Sequence, residues 1–203
     1  MRSKGQLIVI SGPSGAGKGT VCKALLEKNN FWISVSATTR SPRSDEIEGI
    51  NYYFITKEKF LEKIALEDFL EYAEVYGNCY GTPKSEVLKI LDGGRDVILE
   101  IDIQGALKVK RAYPSGLFIF ILPPSMEELK NRITNRGSET PESLITRFTS
   151  AHEEISFVSK YDYAVVNDTV DNACEKIQSI VIAERCRVDR MNGDFLKEEI
   201  SNE

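Results

Sequence analysis

The 203-residue sequence predicts an α/β protein in which helices flank a parallel β-sheet. Four short apolar runs, QLIVIS, DVILEI, LFIFIL and YAVVN, have the continuous hydrophobicity of strands that are buried on both faces. Helical periodicity occurs between or after them, at residues 17–29, 103–112, 125–135, 141–160 and 170–190. This alternation of strands and helices is typical of a parallel sheet covered on both sides.

A different composition interrupts this alternation at residues 34–85, which are rich in Tyr, Thr, Gly and Asn. Within the segment, NYYFIT and EYAEVYGNCYGT indicate antiparallel strands. We interpret the segment as an inserted lobe. Further on, PPS before MEELKNRI predicts a helix start with Ser125 as the N-cap and Glu128 at the capping-box position.

Composition and charge narrow the classes of partner. The net charge is −5 and the isoelectric point is about 5.2, so the broad basic surface of nucleic-acid binders is not expected. No apolar run of about 18 residues is present, which argues against a membrane span. The opening MRSKGQ leads directly into a predicted strand without room for a signal peptide, so we expect a cytoplasmic protein. The sequence carries no signal of oligomeric state.

The cysteines and the single histidine do not indicate a metal site. No C-x-x-C pair occurs, and His152 is expected to be a helix residue without a catalytic role. Cys174 and Cys186 fall on one predicted helix, about 18 Å apart at a rise of about 1.5 Å per residue, which is too far for a disulfide. We therefore expect reduced thiols.

The segment GPSGAGKGT has the spacing of a phosphate-binding loop, because Gly12, Gly17 and Lys18 fit G-x-x-x-x-G-K. Glycines let successive backbone N–H groups point at one anion, the following helix adds its positive end, and the lysine adds a mobile charge. A strand before and a helix after favour this interpretation over a simple glycine-rich turn. The loop residues expected to bind a nucleotide are Gly12, Pro13, Ser14, Gly15, Ala16, Gly17, Lys18, Gly19 and Thr20.

One hydroxyl of this loop is displaced. In most such loops the residue after the lysine is Ser or Thr and binds Mg²⁺, whereas here Gly19 takes that place and Thr20 follows. Thr20 lies about 100° further round the helix. We therefore expect Thr20 to contact a phosphate, and Mg²⁺ to be held mainly by phosphate oxygens and water.

Six further motifs follow the loop: VSATTRSPRSDEIEGINYYF, FLEYAEVYGNCYGT, ILEIDIQGA, IFILPPS, NRITNRG and VVND. GKGT alone resembles adenylate kinases, but the whole set, from residue 6 to about 187, resembles the guanylate kinase family. The resemblance implies transfer of a phosphoryl group from ATP with Mg²⁺ to GMP, giving ADP and GDP. It also implies a P-loop kinase core with a five-stranded parallel sheet (about 1–33, 86–125 and 150–190), a GMP-binding lobe (34–85), a helical lid (126–149) and a polar tail (191–203).

Two arginines in TRSPR suit the phosphate of the acceptor. Arg40 and Arg43 come from one proline-restricted loop, and two guanidinium groups match several phosphate oxygens. Alone, the pattern fits a solvated basic turn equally well. The resemblance implies that both bind the GMP phosphate together with the hydroxyls of Tyr52 and Tyr80, and that Glu46 lies near this site.

Three residues match the positions that read the guanine edge in the family: Glu71, Thr82 and Asp102. Guanine presents donors at N1 and the exocyclic amine, and an acceptor at O6. Carboxylates accept from the donors and a hydroxyl donates to O6. Charged residues at the ends of strands in α/β folds also tend to face the ligand crevice, which fits Asp102.

The donor side is expected to hold the triphosphate of ATP. Arg132 and Arg136 lie four residues apart, on one helix face, and Arg147 follows on the next helix. The resemblance implies that these three arginines and Lys18 neutralise the transferred group, and that Asn167 lies near the adenine. Glu100 stands where the family often has aspartate near the metal, and its role is left open.

Catalysis is expected to need no general base, because the second pKa of a phosphate monoester is about 6. Positioning and charge neutralisation then supply the rate. Two alternatives remain open from the sequence. One is a non-catalytic guanylate-kinase-like module that binds peptides, which usually has a degraded phosphate loop. The other is a kinase for a different nucleoside monophosphate.

Overall fold

The computed structural model describes residues 4–75, 77–134 and 141–190. Its strands are β1 (Leu7–Ser11), β2 (Trp32–Ile33), β3 (Ala37–Thr38), β4 (Tyr53–Phe54), β5 (Phe69–Val75), β6 (Asn78–Pro83), β7 (Val97–Glu100), β8 (Leu117–Leu122) and β9 (Tyr163–Val166). Its helices are α1 (Lys18–Lys28), α2 (Lys57–Ala65), α3 (Lys84–Asp92), α4 (Ile103–Ala112), α5 (Met126–Thr134), α6 (Pro141–Ile155) and α7 (Val170–Arg185). Single 3₁₀ turns follow at Ser156–Lys160 and Val188–Arg190.

The main sheet has five parallel strands in the order β2-β7-β1-β8-β9, so the predicted parallel sheet is confirmed. Alternate residues of β1 enter two separate cores. Ile8 and Ile10 pack with side chains of α1 and α7, whereas Leu7 and Val9 pack with side chains of α3 and α4. Because both faces of the sheet are covered at β1, four consecutive residues of that strand, Leu7 to Ile10, are apolar and buried.

The side of the sheet on which successive strands are added changes at β1. The strands that follow it are added first on one side, as β2 and β7, and then on the other, as β8 and β9. Ligands of open α/β sheets bind at such a switch point, beyond the carboxyl ends of the strands. In this chain the loop of residues 12–17 leaves the carboxyl end of β1 at that point.

Residues 37–83 form a second, four-stranded sheet in the order β4-β3-β6-β5. The antiparallel pairing expected for EYAEVYGNCYGT is found between β5 and β6. The expectation for NYYFIT was wrong in direction, because β4 runs parallel to β3. A two-residue strand carries almost no periodic signal, and the chain between β3 and β4 is long enough to bring the second strand back in the same direction.

Two helices were not predicted from the sequence, α2 and α3. The signal for α2 was present, since the Thr56 hydroxyl accepts from the Lys59 N–H as an N-cap and Phe60 faces inward. At α5, the predicted cap is confirmed, because the Glu128 N–H donates to the Ser125 hydroxyl over 3.0 Å. No helix within the described ranges is long and apolar enough to cross a lipid bilayer.

The second sheet has a small core of its own, made by Ala37, Phe60 and Phe69. The rings of Phe60 and Phe69 stack at 4.6 Å between centroids. This cluster is separate from the two cores of the main sheet. The two sheets are therefore stabilised by different sets of side chains.

Replacing Phe60 with Ala should loosen the second sheet selectively. Truncating a buried Phe costs about 3–5 kcal/mol, and local opening follows local stability. Hydrogen exchange measured by mass spectrometry should speed up in β5 and β6 and change little in β1 and β8. Phe157→Ala, at a ring that is 40% exposed, is the control. Equal acceleration in both sheets would show that they unfold as one unit.

Candidate active site

The loop between β1 and α1 adopts a conformation that glycine alone tolerates at several positions. Gly12, Gly15 and Gly17 have φ angles of 147°, 86° and 90°. A Cβ on Gly17 would lie 2.4 Å from Nδ2 of Asn167, and the same Nδ2 donates to the carbonyl of Ala16 over 2.8 Å. Asn167, directly after β9, thus holds the loop in place.

Lys18 turns back over this loop. Its Nζ donates to the carbonyl oxygens of Gly12 at 2.6 Å and Pro13 at 3.0 Å. Burial lowers the pKa of Lys18, while the nearby carboxylates of Glu100 and Glu154 oppose that shift. The side-chain nitrogen of Lys18 is therefore held against the loop by two backbone carbonyls.

A cleft of about 280 Å³ joins this loop to the second sheet. Four regions contribute its wall: the loop, β5 and β6 with the segment before β4, the carboxyl end of β7, and the end of α6. The lining residues are Gly12, Ser14, Lys18, Ser36, Arg43, Tyr52, Glu71, Val75, Tyr80, Glu100, Ile101, Asp102, Ile103 and Glu154. The cleft thus brings together residues that the sequence assigns to both substrates.

Two further cavities differ in whether they adjoin the glycine-rich loop. One of about 500 Å³ lies on the other side of the loop and is lined by Gly15, Gly17, Thr20, Arg132, Asn167, Asp168, Thr169 and Val170. A larger one, of about 610 Å³, includes Phe31, Asp96 and Arg185. It lies at the amino ends of β2 and β7, away from the loop. We therefore consider the cleft and the cavity of about 500 Å³ as the candidate active site.

Glu46 organises the two arginines of the predicted phosphate site. Its carboxylate accepts from Nη1 and Nη2 of Arg40 at 2.9 and 2.8 Å and from the backbone N–H of Arg43 at 2.8 Å. These bonds hold the pKa of Glu46 below its usual range, and those from Arg40 have the largest effect. Arg40 also packs over the Tyr52 ring at 5.6 Å. Arg43 is exposed and lines the cleft, whereas Arg40 and Glu46 lie behind it.

Glu71 places a carboxylate deep in the cleft. It is only 7% exposed, and burial raises its pKa to about 7, with Asp102 acting in the same direction. Thr82 lies beside it on β6 and donates its hydroxyl hydrogen to Oε1 of Glu71 over 2.8 Å. Thr82 is fully buried and outside the lining, so donation to a ligand would require its hydroxyl to turn away from Glu71.

Asp102 has a structural task as well as a place in the cleft. It is the N-cap of α4, and its Oδ1 accepts from the N–H of Gly105 over 2.9 Å. The sequence pointed to Asp102 through the family resemblance, and its place after a strand supported that assignment. The cap explains why a carboxylate is held in a fixed orientation there.

The predicted donor residues are only partly described. Nε of Arg132 donates to Glu128 over 2.8 Å, and Arg132 shares the second cavity with Thr20 and Asn167. Arg147 is described by its backbone alone, in α6, and Arg136 lies outside the described residues. The structure thus brings Arg132 to the loop.

Glu154 was missed by the sequence reasoning. It lies near the end of α6, and its Oε2 accepts from the N–H of Ser14 over 3.2 Å. Burial raises its pKa, and the Ser14 bond and Lys18 oppose the rise. No local motif marks this residue, because the contact joins positions 140 residues apart. The carboxylate of Glu154 therefore contacts the glycine-rich loop.

A glycine-rich loop after the first strand of a parallel sheet, with an inserted lobe facing it across a cleft, defines a P-loop nucleotide kinase. A family model described as guanylate kinase matches residues 4–184. The chain therefore belongs to the guanylate kinase family of enzymes, as the motifs predicted.

Individual relatives agree with this assignment. The guanylate kinase of Clostridium tetani is 70% identical over 193 residues, which is 95% of this chain and 93% of that protein. That of Clostridium acetobutylicum is 66% identical, with 97% and 94% covered. The crystal structure of guanylate kinase from Anaplasma phagocytophilum matches with a TM-score of 0.82 at 37% identity, covering 98% of this chain and 94% of that one.

The buried Glu71 should cost stability in a pH-dependent way. The pKa of Glu71 is about 7 in the folded protein, against 4.5 for an unperturbed glutamate, so stability falls as pH rises from about 4.5 to 7. Glu71→Gln should therefore raise the free energy of unfolding at pH 8, by up to about 3 kcal/mol, and by less at pH 4.5. Urea denaturation at both pH values measures this.

The matched control is Glu74→Gln, an exposed carboxylate on the same strand. It should leave the free energy of unfolding nearly unchanged at both pH values. If Glu71→Gln destabilised the protein equally at pH 4.5 and 8, ionisation of the Glu71 carboxylate would not be what lowers the stability of the fold.

Proposed function

We propose that this protein transfers the γ-phosphoryl group of ATP to GMP, giving ADP and GDP, in the synthesis and recycling of guanine nucleotides. One observation carries the proposal: a single cleft contains both Lys18 of the phosphate loop and the buried carboxylate of Glu71. The first suits a phosphate that is to be transferred. The second suits a base that presents hydrogen-bond donors. Cytoplasmic location stays a prediction from the sequence.

In this proposal the second sheet is the core of the GMP-binding lobe, at about 34–85, and the lid spans about 126–149. Arg43, Tyr52 and Tyr80 line the cleft and bind the GMP phosphate. Arg40 contributes its charge from behind, while Glu46 fixes the loop that carries both arginines. Closure of the lobes brings these cations toward Lys18.

Glu71 and Asp102 read the guanine base in this arrangement. The carboxylate of Glu71 accepts from N1–H and the exocyclic amine, and Asp102 adds a second acceptor at the same wall. The Thr82 hydroxyl, which donates to Glu71 in the structure, turns in this proposal to donate to O6 of guanine. Adenine presents an acceptor at N1, which would face a carboxylate, so AMP is rejected.

ATP occupies the loop and the cavity beside it. The loop amides of residues 12–20 and Lys18 bind the phosphates. Thr20, Arg132 and Asn167 line the cavity next to the loop, which suits the outer phosphates and the adenine side. Arg136 and Arg147 are proposed to neutralise the transferred group from the lid.

No general base is required, because the GMP phosphate is largely ionised near neutral pH. His152 is exposed on α6, with its ring edge on Phe148, and does not line the cleft. Lys18 and the arginines align the two phosphates and neutralise charge as it moves to the leaving oxygen. The rate enhancement then comes from positioning.

The residues present fit Mg²⁺ bound with ATP. Within the described part of the chain, no cluster of three or more His, Cys, Asp or Glu could hold a metal by itself. The Glu100 carboxylate lies beside the first turn of α1, where a Cβ on Gly19 would be 3.4 Å from Oε1. Glu100 would therefore hold Mg²⁺ through water, and the bound ion would shield the phosphate charges.

An acceptor screen tests the proposal directly. With ATP and Mg²⁺, coupled measurement of ADP should show turnover with GMP and little with AMP, CMP or UMP. Lys18→Ala should lose most of this turnover while keeping the melting temperature of the native protein. No turnover with any acceptor would favour a non-catalytic binding module, and preference for another nucleotide would reassign the acceptor.

Glu71→Gln should weaken recognition of guanine. The substitution keeps the shape but places an NH₂ donor where an acceptor was. We expect kcat/KM for GMP to fall at least about tenfold, or about 1.4 kcal/mol, with a narrower preference over AMP. The KM for ATP should change little. Glu74→Gln on the same strand is the control, and full GMP selectivity in Glu71→Gln would remove Glu71 from base recognition.

A further inference from the structure

We propose that Gly105, in the first turn of α4, sets the position of the Glu71 carboxylate and thereby helps to select the acceptor base. Gly105 acts as a positioning residue, since it works through Glu71. The inference rests on the proposed role of Glu71 in reading guanine. It assigns a task to the glycine of ILEIDIQGA, which the proposed function leaves without one.

The need for glycine at position 105 comes from space and not from backbone conformation. A Cβ built on Gly105 would lie 2.7 Å from Oε2 and 3.1 Å from Cδ of Glu71, and 2.9 Å from Oδ1 of Asp102. The residue is helical and is not among those with positive φ. Alanine is a better helix former than glycine, so the helix alone would favour alanine here.

The Glu71 carboxylate is bounded on its other side by Thr82. The Thr82 hydroxyl donates to Oε1 over 2.8 Å, and the two residues are register partners on β5 and β6. Oε2 lies against Gly105. A methyl group at position 105 would therefore press the carboxylate away from α4, and the cleft is the space that Glu71 already lines.

The helix itself is fastened to the strand that carries Glu71. One turn after Gly105, Nζ of Lys108 donates to the carbonyl of Tyr72 and lies 5.0 Å from the centroid of the Tyr72 ring. Tyr72 is the neighbour of Glu71 in β5. Because α4 is held close to β5, a methyl group at Gly105 is not easily relieved by retreat of the helix.

The test is Gly105→Ala, measured by steady-state kinetics with GMP and ATP. We expect the KM for GMP to rise at least about tenfold, with a smaller change in kcat and no change in the KM for ATP. Gly93→Ala is the matched control, since Gly93 has an ordinary φ of −72° after α3 and lies outside the cleft. The control should retain native kinetics.

A second background separates a positioning role from a merely structural one. Glu71→Asp shortens the carboxylate by one methylene and withdraws it from position 105. In that background the additional Gly105→Ala should raise the KM for GMP by less than about twofold. An equal rise in both backgrounds would show that Gly105 acts through Asp102 or the helix, and would overturn the proposal.

The remaining outcomes are also decisive. Unchanged GMP kinetics in Gly105→Ala would overturn the inference while leaving the proposed function intact, whereas absence of GMP turnover in the native protein would refute that function first. If Gly105→Ala lowers the melting temperature, the Glu71→Asp background should restore part of it, because the contact with Glu71 is removed while the contact with Oδ1 of Asp102 remains. Failure to restore any of it would count against the proposal.

Discussion

The backbone N–H groups at the start of α1 impose the main constraint on this structure. The first turn of any helix leaves such groups without partners inside the helix. In α2, α4 and α7, one of these N–H groups donates to the side chain of the N-cap residue. Those residues are Thr56, Asp102 and Thr169. Helix α1 begins after Gly17, without a side-chain cap and without an acidic residue in its first turn. Its amides and its positive end are left for an anion.

The main sheet and side chains from distant segments fix the position of that helix start. The parallel sheet buries both faces and fixes β1, whose carboxyl end delivers the loop. Asn167, from the end of β9, binds the carbonyl of Ala16 and fills the space beside Gly17. Lys18 and Glu154 also bond to the loop, the first as a donor to the carbonyl of Gly12 and the second as an acceptor from the N–H of Ser14.

Charged side chains of both signs line the cleft. In the proposed function Lys18 and Arg43 meet the phosphates, and Glu71 and Asp102 meet the base. The carboxylates of Glu100 and Glu154 lie near Lys18. A buried carboxylate with a pKa near 7 disfavours folding when it is ionised. In the proposed function, the carboxylate that reads the base is thus the same one that lowers the stability of the fold, which is a common cost of function.

What the sequence could predict follows from how local each signal is. The loop, the four apolar strands and Asp102 after β7 depend on neighbours in the chain, and they were recognised. Glu154, Gly105 and the bond from Thr82 to Glu71 depend on contacts between distant segments, which no periodicity encodes. The prediction that β4 is antiparallel was wrong for the same reason, since a strand of two residues cannot specify its direction.

The displaced threonine of the loop also has a structural explanation. Side chains of consecutive helical residues point about 100° apart. At position 19 the side-chain direction leads to the Glu100 carboxylate, at 3.4 Å from a Cβ. At position 20 it leads to the cavity shared with Arg132 and Asn167. A side chain that extends beyond Cβ at position 19 would point toward this carboxylate. In the proposed function, glycine at 19 leaves that space to Glu100, and the hydroxyl of Thr20 serves the donor side. The order Gly-Thr would then use a carboxylate and a hydroxyl where most loops of this kind use one Ser or Thr.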